Sequence, residues 1–161
     1  MEEIDPNQFR EVLGHLPTGV TVIAAETADG PAGMAANSVT SVSLDPPLIL
    51  FCPAKSSTTW PGIRAAGSFC VNVMAEHQAD ATRRFAEKGV DRFDRVSYAP
   101  RGAGLGLADA VAWIECEMQN EYEAGDHTIA VARVLAIEAS PDSGPLVFFK
   151  GRYGSFHHQT P

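Results

Sequence analysis

Cysteine is scarce in this chain of 161 residues: Cys52, Cys70 and Cys116 are the only three, far apart and each set among apolar neighbours. An odd, scattered set excludes a disulfide framework and a paired-cysteine zinc site, and leaves three small core side chains. Positive charge is also short, with 12 Lys and Arg against 20 Asp and Glu and a net charge of −8. That is the wrong sign for gripping a phosphate backbone or an anionic bilayer, so neither nucleic acid nor membrane is an expected partner. No apolar run approaches the roughly 20 residues that cross a bilayer. The first residues, MEEIDPNQFR, begin acidic where a secretion signal begins basic, which makes the cytoplasm the expected location. Missing too are GxxxxGK[ST], HExxH and GxSxG, and with them the usual signatures of phosphate-loop, zinc-protease and serine-hydrolase chemistry.

What is present suffices for one core. Hydrophobic residues make up 45% of the chain, and the length fits one domain over residues 1–161. Asp5-Pro6-x-Gln8 supplies a cap, a proline at the first helical position and a capping-box glutamine. Phe9, Val12, Leu13 and Leu16 then predict an amphipathic helix of about three turns. Val20 to Ile23 predicts a strand, and Asp29-Gly30 a turn into a second one running through Val42. Leu48 to Cys52 and Phe69 to Met74 are continuous apolar strands, with a short helix over Ser57 to Ala66 between them and another from about Ala75 to Lys88. Residues 97–109, including Gly102-x-Gly104-x-Gly106, read as a flexible loop, because the spacing is not that of a dinucleotide fingerprint. Trp113 to Met118, Thr128 to Ile137 and Leu146 to Phe149 are β again. About seven strands, three short helices and no strand–helix–strand repeat predict a mainly β, antiparallel, barrel-like fold.

Two polar clusters stand out, Asn37 to Ser43 and Lys55-Ser56-Ser57-Thr58-Thr59. The second precedes a predicted helix, and two readings stand: Ser56 or Ser57 caps that helix while Lys55 is solvated, or the hydroxyls and the lysine hold an anionic phosphate. Asp126-His127 invites a triad, but strand neighbours point to opposite faces and no nucleophile elbow accompanies them.

Several runs, taken in order, resemble the short-chain flavin reductases, the reductase components of two-component flavin-dependent monooxygenases. They are Phe9-Arg10 with His15-x-Pro17-Thr18-Gly19-Val20-Thr21-Val22, Gly33 to Leu48, Lys55 to Thr59, Phe69-x-Val71-Asn72-Val73, Arg84-Phe85-Ala86, Gly125-Asp126-His127 and Gly151-Arg152-Tyr153-Gly154. The resemblance implies an FMN-binding split barrel, a homodimer with flavin near the subunit interface, and transfer of hydride from C4 of NADH or NADPH to N5 of FMN or FAD. No cluster of arginines offers itself to a 2′-phosphate, which favours NADH. Reduced flavin would diffuse to a separate oxygenase.

By the same resemblance, Ala36, Asn37, Ser38 and Val39 run along the isoalloxazine and Ser41 continues that contact. Ser56, Ser57 and Thr58, with Lys55 beside them, hold the flavin phosphate. Arg84 and Phe85 reach the far end of the flavin. His127 is the catalytic candidate beside the nicotinamide, able to hydrogen-bond the carboxamide or give a proton to reduced flavin; its other reading is an ordinary loop histidine. Asp126 orients it, and Tyr153 covers the nicotinamide ring or packs the barrel rim. Two rival functions are a non-enzymatic split-barrel module binding flavin or haem, and a pyridoxamine-phosphate-oxidase-like enzyme. The latter needs a second basic phosphate pocket that so acidic a chain barely provides.

Overall fold

The computed structural model describes residues 3–161. From the N-terminus the elements are α1 (Pro6–Leu13), β1 (Thr18–Gly19), β2 (Thr21–Thr27), β3 (Gly30–Ala36), β4 (Thr40–Leu44), β5 (Pro47–Phe51), α2 (Trp60–Ala66) and β6 (Ser68–Val73). A 3-10 turn at Glu76–Gln78 leads into α3 (Ala79–Ala86). The second half is wholly β: β7 (Tyr98–Arg101), β8 (Gly104–Leu107), β9 (Ala112–Ala124), β10 (His127–Ala139), β11 (Leu146–Phe149) and β12 (Arg152–Ser155). The large sheet has the order β4-β5-β10-β9-β6-β2-β8-β7, with β3 also on β2, and a small sheet joins β1, β11 and β12. Every pairing is antiparallel, so the mainly β expectation holds. No helix among the described residues is long and apolar enough to cross a membrane.

β2 explains where the core sits. Its first five residues are all buried, because successive side chains enter two different clusters. Ile23 and Ala25 join Phe51, Trp60, Ile63, Phe69 and Val71, whereas Val22 and Ala24 join Met74, Phe85, Leu105, Leu107 and Leu146. Phe51 packs edge-on against Trp60 at 5.2 Å and against Phe69 at 5.5 Å. Buried Asn72 ties three strands together: its Nδ2 donates to the Val22 and Leu105 carbonyls, and its Oδ1 accepts from the Leu107 amide at 2.7 Å. A buried amide is tolerated here because its donors and acceptor are matched.

Four expectations are corrected. Residues 98–107 are the hairpin β7–β8, not a flexible loop. β8 is completely buried, and a Cβ at Gly104 would fall on the Cys70 amide, so its glycine permits close strand approach. The strand predicted from Gly30 to Val42 is two strands, β3 and β4, interrupted at residues 37–39. The helix predicted from Ser57 starts at Trp60, with Thr59 as its cap position, and is only seven residues long. Finally α1 has eight residues: Asp5 caps it by accepting the Asn7 amide at 2.9 Å, and its apolar face is exposed rather than packed.

Candidate functional site

A cavity of about 950 Å³ opens where β3 ends, and four remote stretches of chain wall it. Residues 16–19 form one side, 34–40 a second, 52–59 a third, and α3 with the loop after it a fourth. His127 completes the rim. Strand pairing brings these stretches together. The 53–55 segment runs beside the β9–β10 turn, where the Lys55 amide donates to the Asp126 carbonyl at 2.9 Å and the Thr128 amide to the Pro53 carbonyl at 3.0 Å. That turn is a two-residue loop with Gly125 at φ 69°, the backbone a tight hairpin requires at its first central position. It sets His127 beside Ala54.

Of the residues singled out from sequence, Ala36, Asn37, Ser38, Val39, Ser56, Ser57, Thr58, Phe85 and His127 line this cavity. Two of the hydroxyls already have partners. Ser38 Oγ accepts the Cys52 amide at 2.8 Å, tying the 37–39 break to the end of β5. Ser57 Oγ accepts the Thr59 and Trp60 amides at 3.3 and 3.1 Å, so it organises the entry to α2. The Ser56 and Thr58 hydroxyls make no hydrogen bond among the described residues. Phe85 is buried under the cavity, where a Cβ on Gly33 would collide with its ring.

The remaining candidates lie off the cavity. Ser41 is exposed on β4, paired with Ile49. The Lys55 ammonium turns outward to an ion pair with Glu123. On α3, Arg84 donates to the Asp94 carbonyl and carboxylate at 3.1 and 3.0 Å. Tyr153 packs on Phe148 beneath the guanidinium of Arg83, and its burial pushes the phenol pKa up. Its ring borders a different cavity of about 680 Å³, which meets the first at Pro17. Asp126 is exposed but touches His127, its Oδ1 lying 2.7 Å from Nδ1. Adjacent residues of a strand would diverge; these meet because Asp126 belongs to the turn and only His127 to the strand. The hydrogen bond to the imidazole, followed by its charge, holds the Asp126 carboxyl below its ordinary range.

Behind the site, Glu121 on β9 ties α2 to β10. Its Oε1 accepts from Trp60 Nε1 at 3.0 Å and from Thr128 Oγ1 at 2.7 Å, while Arg64 approaches Oε2 at 3.3 Å. Burial alone raises this carboxyl, and the three hydrogen bonds and the arginine outweigh it, so the group titrates below its ordinary value.

Sequence reasoning overlooked Lys88 and Arg92 on the cavity wall. Arg92 donates from Nη1 to the Gly33 carbonyl at 2.9 Å and to Thr59 Oγ1 at 3.0 Å, which fixes the 87–93 loop against β3. Two basic residues four apart in so acidic a chain were the available signal. Thr18 was quoted only as part of a motif; its Oγ1 is buried on the cavity side of β1 without a partner among the described residues. An apolar floor at Met34, Ala36 and Phe85, unpaired hydroxyls at Ser56 and Thr58, and this orphaned oxygen make a donor set that suits a flat heteroaromatic group carrying a phosphate.

Comparison with known proteins points the same way. Residues 13–157 match the family model described as flavin reductase like domain. A flavin reductase of Pseudomonas putida is 44% identical over 155 residues, covering 95% of this chain and 91% of that protein. The reductase subunit HsaB of a flavin-dependent monooxygenase from Rhodococcus jostii is 40% identical, covering 94% of this chain and 78% of its own. Among solved structures, the NADH:FAD oxidoreductase SgcE6 of Streptomyces globisporus superposes with a TM-score of 0.89 at 39% identity, covering 98% of this chain and 99% of that one. SgcE6 has also been solved in complex with NAD and FAD fragments.

Proposed function

The chain belongs to the flavin reductase-like family and is a flavin reductase, an oxidoreductase that spends NADH to reduce flavin for a separate monooxygenase component, and from that premise we propose how its residues divide the work. The observation that carries the assignment is the convergence of residues 36–39, 56–58 and His127 on one cavity, although they are separated by up to 91 positions in the chain (127 − 36).

Residues Ala36 to Val39 lie along the flavin ring, where the interrupted strand leaves backbone groups for its polar edge. Ser56 and Thr58 take the phosphate with their unpaired hydroxyls, and Ser57 acts on the same loop by holding its backbone. When bound, the flavin supplies the hydride acceptor and NADH the donor, so the protein needs no nucleophile and its task is alignment of two flat rings. His127 serves that alignment. Asp126 engages Nδ1, which leaves Nε2 free to accept from the nicotinamide carboxamide when neutral or to donate a proton when charged. The cavity beside Tyr153 gives the nicotinamide nucleotide room on the other side of Pro17.

The protein acts as a homodimer. Phe9, Val12 and Leu13 expose an apolar face on α1 with nothing among the described residues packed over it, and Leu16 and Pro17 continue that face onto the cavity rim. A second copy would cover the helix and supply a further wall to the site. Reduced flavin then leaves by diffusion to the oxygenase.

The deciding experiment mixes protein, NADH and either FMN or FAD and follows the near-ultraviolet absorbance of NADH. Flavin-dependent oxidation of NADH is the expected result. Flavin binding without NADH oxidation would return the chain to the class of non-enzymatic flavin modules.

A further inference from the structure

Thr18 carries the one buried side-chain oxygen or nitrogen that lacks a hydrogen-bond partner among the described residues. The fold pairs the hydroxyls of its buried threonines: Thr21 donates to the Ala36 carbonyl at 2.7 Å, Thr82 to the Gln78 carbonyl at 2.8 Å and Thr128 to Glu121 Oε1 at 2.7 Å. An unmatched buried hydroxyl destabilises the chain that carries it, so this exception calls for a partner from outside the chain. We propose that Thr18 is a binding residue for the flavin ring, its hydroxyl matched by a polar atom of the isoalloxazine. The inference rests on the flavin site assigned above and adds to it the wall that faces residues 36–39.

Strand register places the hydroxyl there. β2 and β3 pair from Thr27 with Gly30 to Thr21 with Ala36. Carried three residues further, that ladder would set Thr18 opposite Val39. It stops instead, because Thr18 and Gly19 pair with Phe148 and Val147 of β11 while residues 37–39 leave the strand. The two stretches part at that point, and the cavity occupies the parting, with Thr18 on one lip and Val39 on the other. A flat ring lying along residues 36–39 therefore has Thr18 on its other side. The phosphate belongs to a separate wall, where Ser56 and Thr58 present their own unpaired hydroxyls. Stability and affinity then pull apart at Thr18. Removing its hydroxyl should stabilise the empty protein and weaken the complex, whereas a structural threonine would lose on both counts.

Thr18→Val keeps the branched shape and deletes the hydroxyl, and Thr18→Ser keeps the hydroxyl. The probes are riboflavin and FMN, which share the ring and differ in the phosphate. Flavin-free Thr18→Val should melt at or above the temperature of the unaltered protein. It should bind riboflavin and FMN each about threefold to tenfold more weakly, the worth of one neutral hydrogen bond. Thr18→Ser should hold both affinities near those of the unaltered protein. A lower melting temperature for flavin-free Thr18→Val would make the hydroxyl part of the fold and overturn the proposal, as would unchanged dissociation constants for both flavins. Weakening of FMN alone would put the hydroxyl on the phosphate, and a raised KM for NADH with both flavin affinities unchanged would put it on the nicotinamide nucleotide; either result overturns the proposal. An unaltered protein that binds neither flavin would strike the flavin site itself, a different result from the loss of one contact within it.

Discussion

Ser57 and Thr58 are neighbours in opposite situations: the Ser57 hydroxyl already accepts two backbone amides, and the Thr58 hydroxyl has no partner among the described residues. Ser57→Ala should therefore lower stability by about 1 kcal/mol, the usual net worth of a lost intramolecular hydrogen bond, and weaken flavin binding through the loosened loop. Thr58→Ala should leave the melting temperature almost unchanged and still cost about 1.5 kcal/mol or more of flavin affinity, the worth of one hydrogen bond to a charged group. Thermal melts and flavin titrations of the two variants separate these roles. His127→Ala belongs to the other half of the site. It should slow anaerobic reduction of bound flavin by NADH about 10- to 1000-fold while oxidised flavin binds nearly as before. Stopped-flow reduction over a range of NADH measures it, and a rate equal to that of the unaltered protein would make His127 an ordinary loop histidine.

Strand and helix contacts explain why those side chains stay in place. β8 crosses β6 so closely at Gly104 that any Cβ there meets the Cys70 and Phe69 backbone, which cannot move aside as a flexible side chain would. Gly104→Ala should cost about 3 kcal/mol, the upper end for overpacking, whereas Gly19, with no atom within 4 Å of an added Cβ, should accept alanine with little change. Denaturant unfolding of both variants provides the comparison. Glu121 links α2 to β9 and β10, and its folded pKa lies below the unfolded value. Its contribution is thus complete above the unfolded value and is lost as pH falls through the folded one. Melting temperatures followed from about pH 7 to about pH 3 should drop on the acid side, and Glu121→Gln should flatten that part of the drop. An identical acid slope in the variant would show that this carboxylate contributes nothing to it.

For the molecule as a whole, the exposed face of α1 is the feature a single copy leaves unexplained, with Phe9 54% and Val12 58% accessible. If a second copy covers it, Val12→Asp with Leu13→Asp should yield a monomer by light scattering at micromolar concentration and lower NADH oxidation with it. A monomeric unaltered protein with full activity would sink the dimer and leave the flavin chemistry standing. The burial of Cys70 and Cys116, which pushes their thiols up to about 11 and about 12, accords with their place as core side chains. Cys52 differs, being half-buried on the cavity wall.

Patterns of neighbouring residues settled a good part of this protein in advance. Asp5 and Pro6 start α1, and the apolar runs at 20–23, 48–51 and 69–73 are strands, because each depends on the local backbone and on which face a side chain presents. The polar clusters at 37–39 and 56–58 were legible for the same reason, as hydroxyls and amides concentrated where an apolar pattern breaks. Tertiary structure decided the rest. Gly102 to Leu107 looks flexible alone and becomes the turn and the buried second strand of a hairpin only because β6 lies against it. Lys55 and Arg84 turn to Glu123 and Asp94 and away from the cavity, while Arg92, overlooked in sequence, is drawn into it by the carbonyl of Gly33. Those outcomes depend on partners 10 to 68 positions away (94 − 84 and 123 − 55), and antiparallel pairing over such distances is a property of the assembled sheet that no local pattern contains.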